Sequence, residues 1–184
     1  VWAPKKLGIK GESLGNVHFA IDYLKTPKAY DLGKKVIVVG AGNVAMDVAR
    51  TAIRNGAREV QVMYRKGEEN MPAERIEIEH AKIDGVKFNL YKSPLEFTEE
   101  GIKYINTKED DTSEGFEEAD SILIAISQTA RDLIVRNNTG LNLGENGLLQ
   151  SDENGRTTRD GVFASGDVVT GARTVVEAVA FSKR

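Results

Sequence analysis

The sequence predicts an α/β fold built on a parallel sheet, and three observations lead to this prediction. Residues 36–39 are a short apolar run of β-branched side chains, as expected of a strand buried on both faces of a parallel sheet. A glycine-rich turn, an amphipathic helix and a second strand follow directly, which is the order of a βαβ unit. Residues 121–127 provide another apolar run that fits a fully buried strand.

The N-terminal part of the chain is predicted to contain a loop and one helix. Residues 1–15 are rich in Gly and Lys, as loops often are. Residues 16–27 place four apolar side chains on one helical face, and Pro27 follows as a stop. The four are Val17, Ala20, Ile21 and Leu24.

Two helices and a strand are predicted after the first glycine turn. The helix after Gly42 has apolar residues at helical spacing and ends at Gly56, where the chain can adopt a left-handed cap. The alternating residues 59–65 follow as the second strand. Residues 71–85 are predicted to form another helix, because early Pro and acidic residues mark its start and Gly85 marks its end.

The rest of the chain is predicted to contain strands and connections. Residues 86–108 alternate like the strands of a β-meander, with turns at Ser93-Pro94 and Gly101. Residues 109–120 are acidic and predict an exposed connection. After the strand 121–127 we expect polar turns over 128–160, a short strand over 161–167 and a last helix from Thr174.

The composition argues against several classes of function. Hydrophobic residues make up 40% and charged residues 29% of the 184 residues, enough for the core of one domain or slightly more. The net charge of −3 argues against a nucleic-acid partner, and no run approaches the roughly 18 apolar residues that span a bilayer. The N-terminus lacks the apolar region of a signal peptide, and the absence of cysteine fits the expected cytoplasmic location.

The cysteine and histidine content restricts the chemistry further. With no cysteine, these residues cannot form disulfides, thiolate-bound clusters or a cysteine nucleophile. His18 and His80 lie far apart without ligand spacing, so no metal site is expected, and His80 is assigned a structural role. The chain starts without Met and stops within its last predicted helix, so we expect it to be part of a longer protein.

The turn after the first buried strand predicts a dinucleotide site. Gly40, Gly42 and Ala45 form the pattern G-x-G-x-x-A. Gly40 permits the tight turn, Gly42 lets a pyrophosphate approach the backbone, and Ala45 lets the helix pack close to the sheet. The helix N-terminus then offers free N–H groups and partial positive charge. The alternative is a plain strand-to-helix turn with small residues. The turn lies between a strand and a helix, and a second strand follows the helix; this context favours a dinucleotide site.

The end of the second strand favours NADP(H). An NAD site uses Asp or Glu there to bind the ribose 2′-hydroxyl, whereas this strand ends in Arg65 and Lys66. A guanidinium can bind a 2′-phosphate with two charge-assisted hydrogen bonds, and a carboxylate would repel it. Two solvent-facing bases are the structural alternative, and the nearby Glu68 and Glu69 leave an NAD site open.

A second motif near the C-terminus points to a flavin. In "GVFASGDVVTGARTVVEAVA" (161–180) Gly166 and Asp167 follow a predicted strand, and a helix begins near Arg173 and Thr174. This segment resembles the second flavin-contacting motif of two-dinucleotide flavoprotein reductases. There the Asp binds the flavin ribityl chain and the helix start faces the pyrimidine edge of the isoalloxazine. An ordinary Gly-Asp turn is the alternative.

Together the motifs resemble the small-subunit (beta) family of NADPH-dependent glutamate synthase, which includes the FAD/NADPH part of dihydropyrimidine dehydrogenase and related ferredoxin–NADP oxidoreductase and sulfide dehydrogenase subunits. Six stretches give the match: "LGIKGE", "VIVVGAGNVAMDVARTAIRNGA", "YRKGEENMPA", "EIEHAKIDGV", "ILIAISQTA" and "GVFASGDVVTGARTVVEAVA". The resemblance implies a Rossmann-like NADPH-binding domain over 33–127, inserted between partial FAD-binding segments at 1–32 and 128–184.

The resemblance also implies which residues bind which cofactor. Gly42, Asn43, Val44 and Ala45 would contact the NADPH phosphates, and Arg65 and Lys66 the 2′-phosphate. Ala125, Ile126 and Ser127 would pass under the nicotinamide side. Gly166, Asp167, Thr174, Val175 and Val176 would contact FAD.

Two departures from the family pattern weaken parts of this assignment. Relatives often read "MPAR" where this chain has Glu74, with Arg75 one place later, so a third basic contact to the phosphate is in doubt. Relatives often have Gly where this chain has Ser127, which costs closeness between backbone and ligand. Asp47 is frequent in the family, and a cap or surface role fits it equally.

The implied reaction is hydride transfer from C4 of NADPH to N5 of FAD, with electrons leaving singly through iron–sulfur clusters toward a partner subunit or domain. The implied partner is a large subunit or another electron-acceptor protein. No acid–base catalytic residue is then needed. The 184 residues lack half of the FAD site, so we expect them to be inactive alone. The rival hypotheses are a nucleotide-sensing module without redox chemistry and an NAD-dependent dehydrogenase of small molecules, for which no proton-transfer His or Tyr is evident.

Overall fold

The computed structural model describes residues 2–130, 133–171 and 173–183. They form two compact units, Pro4–Ser127 and a smaller one made of Val1–Ala3 and Gln128–Arg184. In the described part of the chain, no helix is both long and apolar enough to cross a membrane. The predicted α/β class, with a parallel sheet and a β-meander, is confirmed.

The elements are numbered along the chain. The strands are β1 (Trp2–Pro4), β2 (Val17–Phe19), β3 (Lys35–Val39), β4 (Glu59–Tyr64), β5 (Lys87–Leu90), β6 (Lys92–Thr98), β7 (Gly101–Asn106), β8 (Glu114–Glu118), β9 (Ser121–Ile124) and β10 (Gln128–Ala130). The helices are α1 (Ala20–Lys25), α2 (Asn43–Arg54), α3 (Arg75–Ile83), α4 (Leu133–Arg136), α5 (Asp167–Thr170) and α6 (Val175–Ser182).

A five-stranded parallel sheet in the order β2-β9-β3-β4-β5 forms the centre of the larger unit. β3 pairs with β4 on one side and with β9 on the other. It is the central strand of the sheet, and Val36 to Val39 are each at most 3% exposed. The apolar run is buried on both faces, as the sequence predicts for a central parallel strand.

The two faces of the sheet contact different layers. Val36 and Val38 pack in one apolar cluster with residues of α2 such as Ala45 and Met46. Ile37 and Val39 point to the other face, because side chains alternate along a strand, and join a cluster that contains Phe97 and Ile102 of the meander. Helices, parallel sheet and the antiparallel sheet β6-β7-β8 therefore form three layers.

The smaller unit has little regular structure. It contains the two-stranded sheet of β1 and β10, the helices α4, α5 and α6, and isolated bridges such as Leu143 to Leu149 and Arg156 to Phe163. Leu141, Leu148 and Leu149 are buried in it.

The structure corrects the predicted helix over 16–27. Val17–Phe19 is instead the short edge strand β2, which pairs in parallel with β9, and the helix begins only at Ala20. The four apolar residues fit a helical face, but pairing with a strand some hundred residues later overrides that local pattern. A 3-10 turn, Pro27–Ala29, follows the helix.

Three further expectations about strands are wrong. Ser93-Pro94 does not form a turn, because both residues lie within β6, where the register shifts between Pro94 and Glu96. The acidic connection includes the strand β8, which pairs with β7. Residues 161–167 form no strand beyond the single bridge at Phe163, and Asp167 begins the short helix α5.

The helix ends follow the prediction more closely. α2 ends at Arg54 and α3 at Ile83, and both are followed by a glycine with positive φ, Gly56 and Gly85. A glycine there takes the left-handed conformation without a steric penalty, so these two stops are set locally.

Candidate functional site

The site predicted for the pyridine nucleotide lies at the carboxyl edge of the parallel sheet. β3, β4 and β9 all end at this edge, and each is followed by predicted site residues. The chain leaves β3 for β4 on one side, whereas β9 lies on the other. Ligands of open α/β sheets bind in the crevice formed at such a reversal of strand order.

Gly40 makes the turn out of β3 in a conformation that requires glycine. Its φ is +121°, and a Cβ there would overlap the carbonyl oxygen of Ala125. Its N–H donates to the carbonyl of Met63 at 3.0 Å, which ties the turn to β4. Gly40 and Ala125, predicted from separate motifs, are thus in direct backbone contact at the crevice.

The start of α2 is open and has no side-chain cap. Gly42 is its N-cap, and a Cβ at Gly42 would meet nothing within 4 Å. Among the described residues, none accepts a hydrogen bond from the N–H groups of Asn43 and Val44. Ala45 is fully buried against the sheet. Free N–H groups at a helix N-terminus, with its partial positive charge, suit a phosphate.

The side chain of Asn43 has a partner that the sequence does not reveal. Its Oδ1 accepts a hydrogen bond from the N–H of Glu74 at 2.8 Å, and the carbonyl of Ala41 accepts one from Ala73 at 3.1 Å. The segment before α3 is therefore tied to the glycine turn. The two partners lie 31 residues apart along the chain, so no local pattern predicts the pair.

Arg65 and Lys66 follow β4 at the same edge, and both are exposed. Neither forms an ion pair with any described residue, so both cations are available to an anionic ligand. Of the two nearby acids, Glu68 is bound to Lys82 at 2.5 Å. Arg75, the displaced basic residue, is 92% exposed at its side chain and pairs with Glu79 across one helical turn.

The segment after β9 contains Ser127, whose backbone conformation is unusual for a residue other than glycine. Ala125 donates its N–H to Val39 at 2.8 Å, which continues the sheet, and Ile126 packs against the meander-side cluster. Ser127 has a φ of +111°, in a region that favours glycine. Its carbonyl accepts the N–H of Lys5 at 3.2 Å. The departure from the family glycine thus coincides with a strained residue.

Asp47 and Arg50 belong to a charged cluster between α2 and α3. Arg50 binds Asp84 at 2.8 Å and Glu77 at 3.1 Å, and this contact lowers the pKa of the Asp84 carboxyl. Burial, with Glu77 nearby, raises the pKa of Asp47 above its usual value. Arg50 therefore joins the two helices.

Neither histidine of the larger unit contributes to the predicted site. His18 lies edge-on against Tyr30, with ring centroids 5.1 Å apart, and burial lowers its pKa. His80 is exposed on α3. No group of three or more His, Asp or Glu among the described residues could hold a metal ion.

The residues predicted to contact FAD lie in the smaller unit. Gly166 has a φ of +74°, and the carboxylate of Asp167 accepts the N–H of Arg173 at 3.4 Å. Thr174 and Glu177 form a capping box at the start of α6, with Thr174 donating to the Glu177 carboxylate from both N–H and hydroxyl. Hydrogen bonds from Thr174 lower the pKa of Glu177. Val175 and Val176 are 78% and 77% exposed.

Comparison with known proteins identifies the family of the chain. A family described as pyridine nucleotide-disulphide oxidoreductase matches residues 3–181. The small chain of glutamate synthase (NADPH) from Halomonas elongata is 35% identical over 94% of this chain and 44% of its own length. Subunit beta of the NADP(+)-dependent formate dehydrogenase from Moorella thermoacetica is 38% identical over 99% of this chain and 29% of its own length.

A solved structure has the same fold. The thioredoxin reductase of T. acidophilum superposes with a TM-score of 0.81 and 22% identity, covering 98% of this chain and 59% of that one. The chain spans less than half the length of the two relatives compared above. The family match extends over nearly all of the chain, and on that ground the chain belongs to the pyridine nucleotide-disulphide oxidoreductase family.

Proposed function

We propose that this chain is the nucleotide-binding part of a flavoprotein oxidoreductase that takes electrons from NADPH. One observation supports the choice of NADPH above all. At the edge where the glycine turn opens a bare helix N-terminus, Arg65 and Lys66 are exposed and form no ion pair within the described residues. Two cations without carboxylate partners at this position suit a ribose 2′-phosphate.

The residues of the larger unit have separate tasks in this proposal. The N–H groups of Asn43 and Val44 bind the pyrophosphate, and Gly42 leaves room for it. Arg65 and Lys66 bind the 2′-phosphate, and Ala125 to Ser127 line the nicotinamide side. When bound, NADPH supplies a hydride and FAD accepts one. The chain's own groups position the nucleotide, and no acid or base is required.

The smaller unit is proposed to contact FAD, and its free donors fit that role. The N–H groups of Val175 and Val176 have no acceptor among the described residues, and both residues are exposed. Asp167 would bind the ribityl chain, next to the turn at Gly166 and ahead of Thr174. The carboxylate of Glu177 partly neutralises this helix end, so α6 offers less positive charge than α2 does.

The proposed domain boundaries follow from these cofactor-binding roles. We propose that 33–127 binds NADPH and that 1–32 and 128–184 belong to the flavin side of the parent protein. The larger compact unit also contains residues 4–32, whose strand β2 extends the parallel sheet. This segment would connect the two cofactor regions along the chain.

Electrons are proposed to leave through another part of the parent protein or a partner subunit. These 184 residues contain no cysteine, so they provide neither a redox disulfide nor ligands for an iron–sulfur cluster. The relatives named above are a small chain and a subunit beta, which fits an electron-accepting partner chain. A soluble, cytoplasmic parent is part of the same proposal.

The proposed NADPH preference is tested by calorimetric titration of the chain with NADPH and with NADH. Arg65→Ala is expected to weaken NADPH binding about tenfold to a hundredfold, since hydrogen bonds to charged groups contribute roughly 1.5–3 kcal/mol. NADH binding should change by less than about twofold on the same reasoning. Arg58→Ala is the matched control, because exposed Arg58 precedes the opposite end of the same strand. Equal losses for both nucleotides would contradict the 2′-phosphate role.

A further inference from the structure

The backbone that presents Arg65 and Lys66 is held from outside its own strand. The hydroxyl of Thr107 donates to the carbonyl of Arg65 at 2.6 Å. The N–H of Tyr91 donates to the carbonyl of Lys66 at 3.3 Å, and the N–H of Thr107 donates to the carbonyl of Tyr91 at 2.8 Å. Both carbonyls of the basic pair are thus bonded to a link formed by Tyr91 and Thr107.

Tyr91 is itself in a conformation that costs free energy. Its φ is +55°, which L-residues other than Asn and Asp rarely adopt. Both its N–H and its carbonyl are bonded, the first to Lys66 and the second to Thr107. A strained residue persists where its surroundings fix it, and such residues cluster at functional sites.

The next residue of the basic segment is enclosed by the same link. Gly67 is buried, and a Cβ there would overlap the hydroxyl oxygen of Tyr91 and the carboxylate of Glu69. The side chains of Arg65 and Lys66, in contrast, are exposed. The segment therefore combines a fixed backbone with two free cationic side chains.

This combination affects the binding of one part of the nucleotide. Arg and Lys lose rotamer freedom when they bind a phosphate, and a mobile backbone would add its own loss of entropy to that cost. A backbone already fixed by Thr107 avoids the second loss. The smaller entropy loss favours binding of the 2′-phosphate, which distinguishes NADPH from NADH. It does not affect binding of the pyrophosphate at α2.

We propose that Thr107 is a positioning residue for NADPH-versus-NADH discrimination, acting through the carbonyl of Arg65. The inference rests on the proposed function, because it assumes that Arg65 and Lys66 bind the 2′-phosphate. Thr107 lies 42 residues from Arg65 in sequence and does not itself contact the nucleotide in this proposal.

The test replaces the hydroxyl with a methyl group in Thr107→Val. NADPH affinity is expected to fall about threefold to fivefold, the usual effect of one lost hydrogen bond, while NADH affinity changes by less than about twofold. Thr107→Ser keeps the hydroxyl and should restore the wild-type ratio of NADPH affinity to NADH affinity. The matched control is Thr98→Val, which removes a hydroxyl bonded to Gly101 at 3.1 Å in the turn between β6 and β7.

A second readout does not depend on nucleotide binding. Trypsin cleaves after Arg65 and Lys66, and Thr107→Val should speed these cleavages relative to cleavage after Arg58, whereas Thr98→Val should not. Unchanged relative cleavage in Thr107→Val would overturn the inference. So would an unchanged NADPH-to-NADH ratio in Thr107→Val when Arg65→Ala lowers that ratio. If Arg65→Ala also leaves the ratio unchanged, the proposed 2′-phosphate role fails, and this inference fails with it.

Discussion

The N-termini of α2 and α6 differ in whether a side chain caps them. α2 begins at Gly42 with no side-chain cap. α6 begins at Thr174 with a complete capping box formed with Glu177. A cap satisfies donors that would otherwise bind a ligand, and its carboxylate offsets the positive end of the helix. Both helices leave the N–H groups of their first two residues without an acceptor among the described residues, so the difference lies in charge: Glu177 offsets the positive end of α6, and no carboxylate does so at α2.

The largest expected effect is a difference in the free energy of unfolding between variants of Gly40 and Gly42, the two glycines of the turn before α2. Gly40→Ala should lower the free energy of unfolding by about 3 kcal/mol or more, because a strained φ combines with a backbone overlap. Gly42→Ala should cost only about 0.5–1 kcal/mol, since its Cβ meets nothing, yet it should weaken nucleotide binding by closing the approach to the N–H groups.

Urea unfolding and nucleotide titration of both variants check this expectation. Similar unfolding free energies for the two would mean that the contact between Gly40 and Ala125 does not define the turn. Unchanged nucleotide affinity in Gly42→Ala would break the comparison, because α2 would then not need an open N-terminus.

A smaller effect is expected at α6. Thr174→Ala removes the hydroxyl that accepts from the N–H of Glu177, and loss of an N-cap costs about 1 kcal/mol. Amide hydrogen exchange should show faster opening in α6 and unchanged protection in α2. Equal protection of the α6 amides in the wild type and in Thr174→Ala would mean that the capping box does not stabilise this helix.

The smallest effect is a pH dependence confined to α6. Hydrogen bonds from Thr174 lower the pKa of Glu177, so its carboxylate stabilises the helix fully above the ordinary glutamate pKa. That contribution is lost as the pH falls through the lowered pKa. Carboxyl NMR titration should show the lowered pKa of Glu177 and only a partial rise in Thr174→Ala, because the hydrogen bond from the backbone N–H of residue 174, the larger cause, is kept. A Glu177 pKa that Thr174→Ala does not move would contradict the contribution assigned to the Thr174 hydroxyl.

Parts of the fold follow from local sequence alone. The unit β3-α2-β4 was predictable because its apolar runs, its glycines and the Gly56 stop act within a few residues of one another. β2 was not, since a three-residue edge strand exists only through pairing with β9. Pro94 looked like a turn residue, but pairing of β6 with β7 includes it in a strand with a shifted register.

The candidate site divides in the same way. Gly40, Gly42 and Ala45 were identified from spacing, since each is required by the turn itself. The bond from Glu74 to Asn43 and the link from Thr107 to Arg65 were not identified. Both join residues that no periodicity relates, and a threonine or an asparagine on the surface is ordinary in any sequence.

The α/β class, the glycine turn and the basic pair after β4 follow from the sequence, because short-range sterics and the burial of apolar runs decide such features. How these features contact one another depends on the packing of distant segments. It brings Ala125 against Gly40 and ties α3 to the turn through Asn43. It also fixes the backbone of Arg65 through Thr107. These contacts join distant segments, so they exist only once the parallel sheet and the meander have packed.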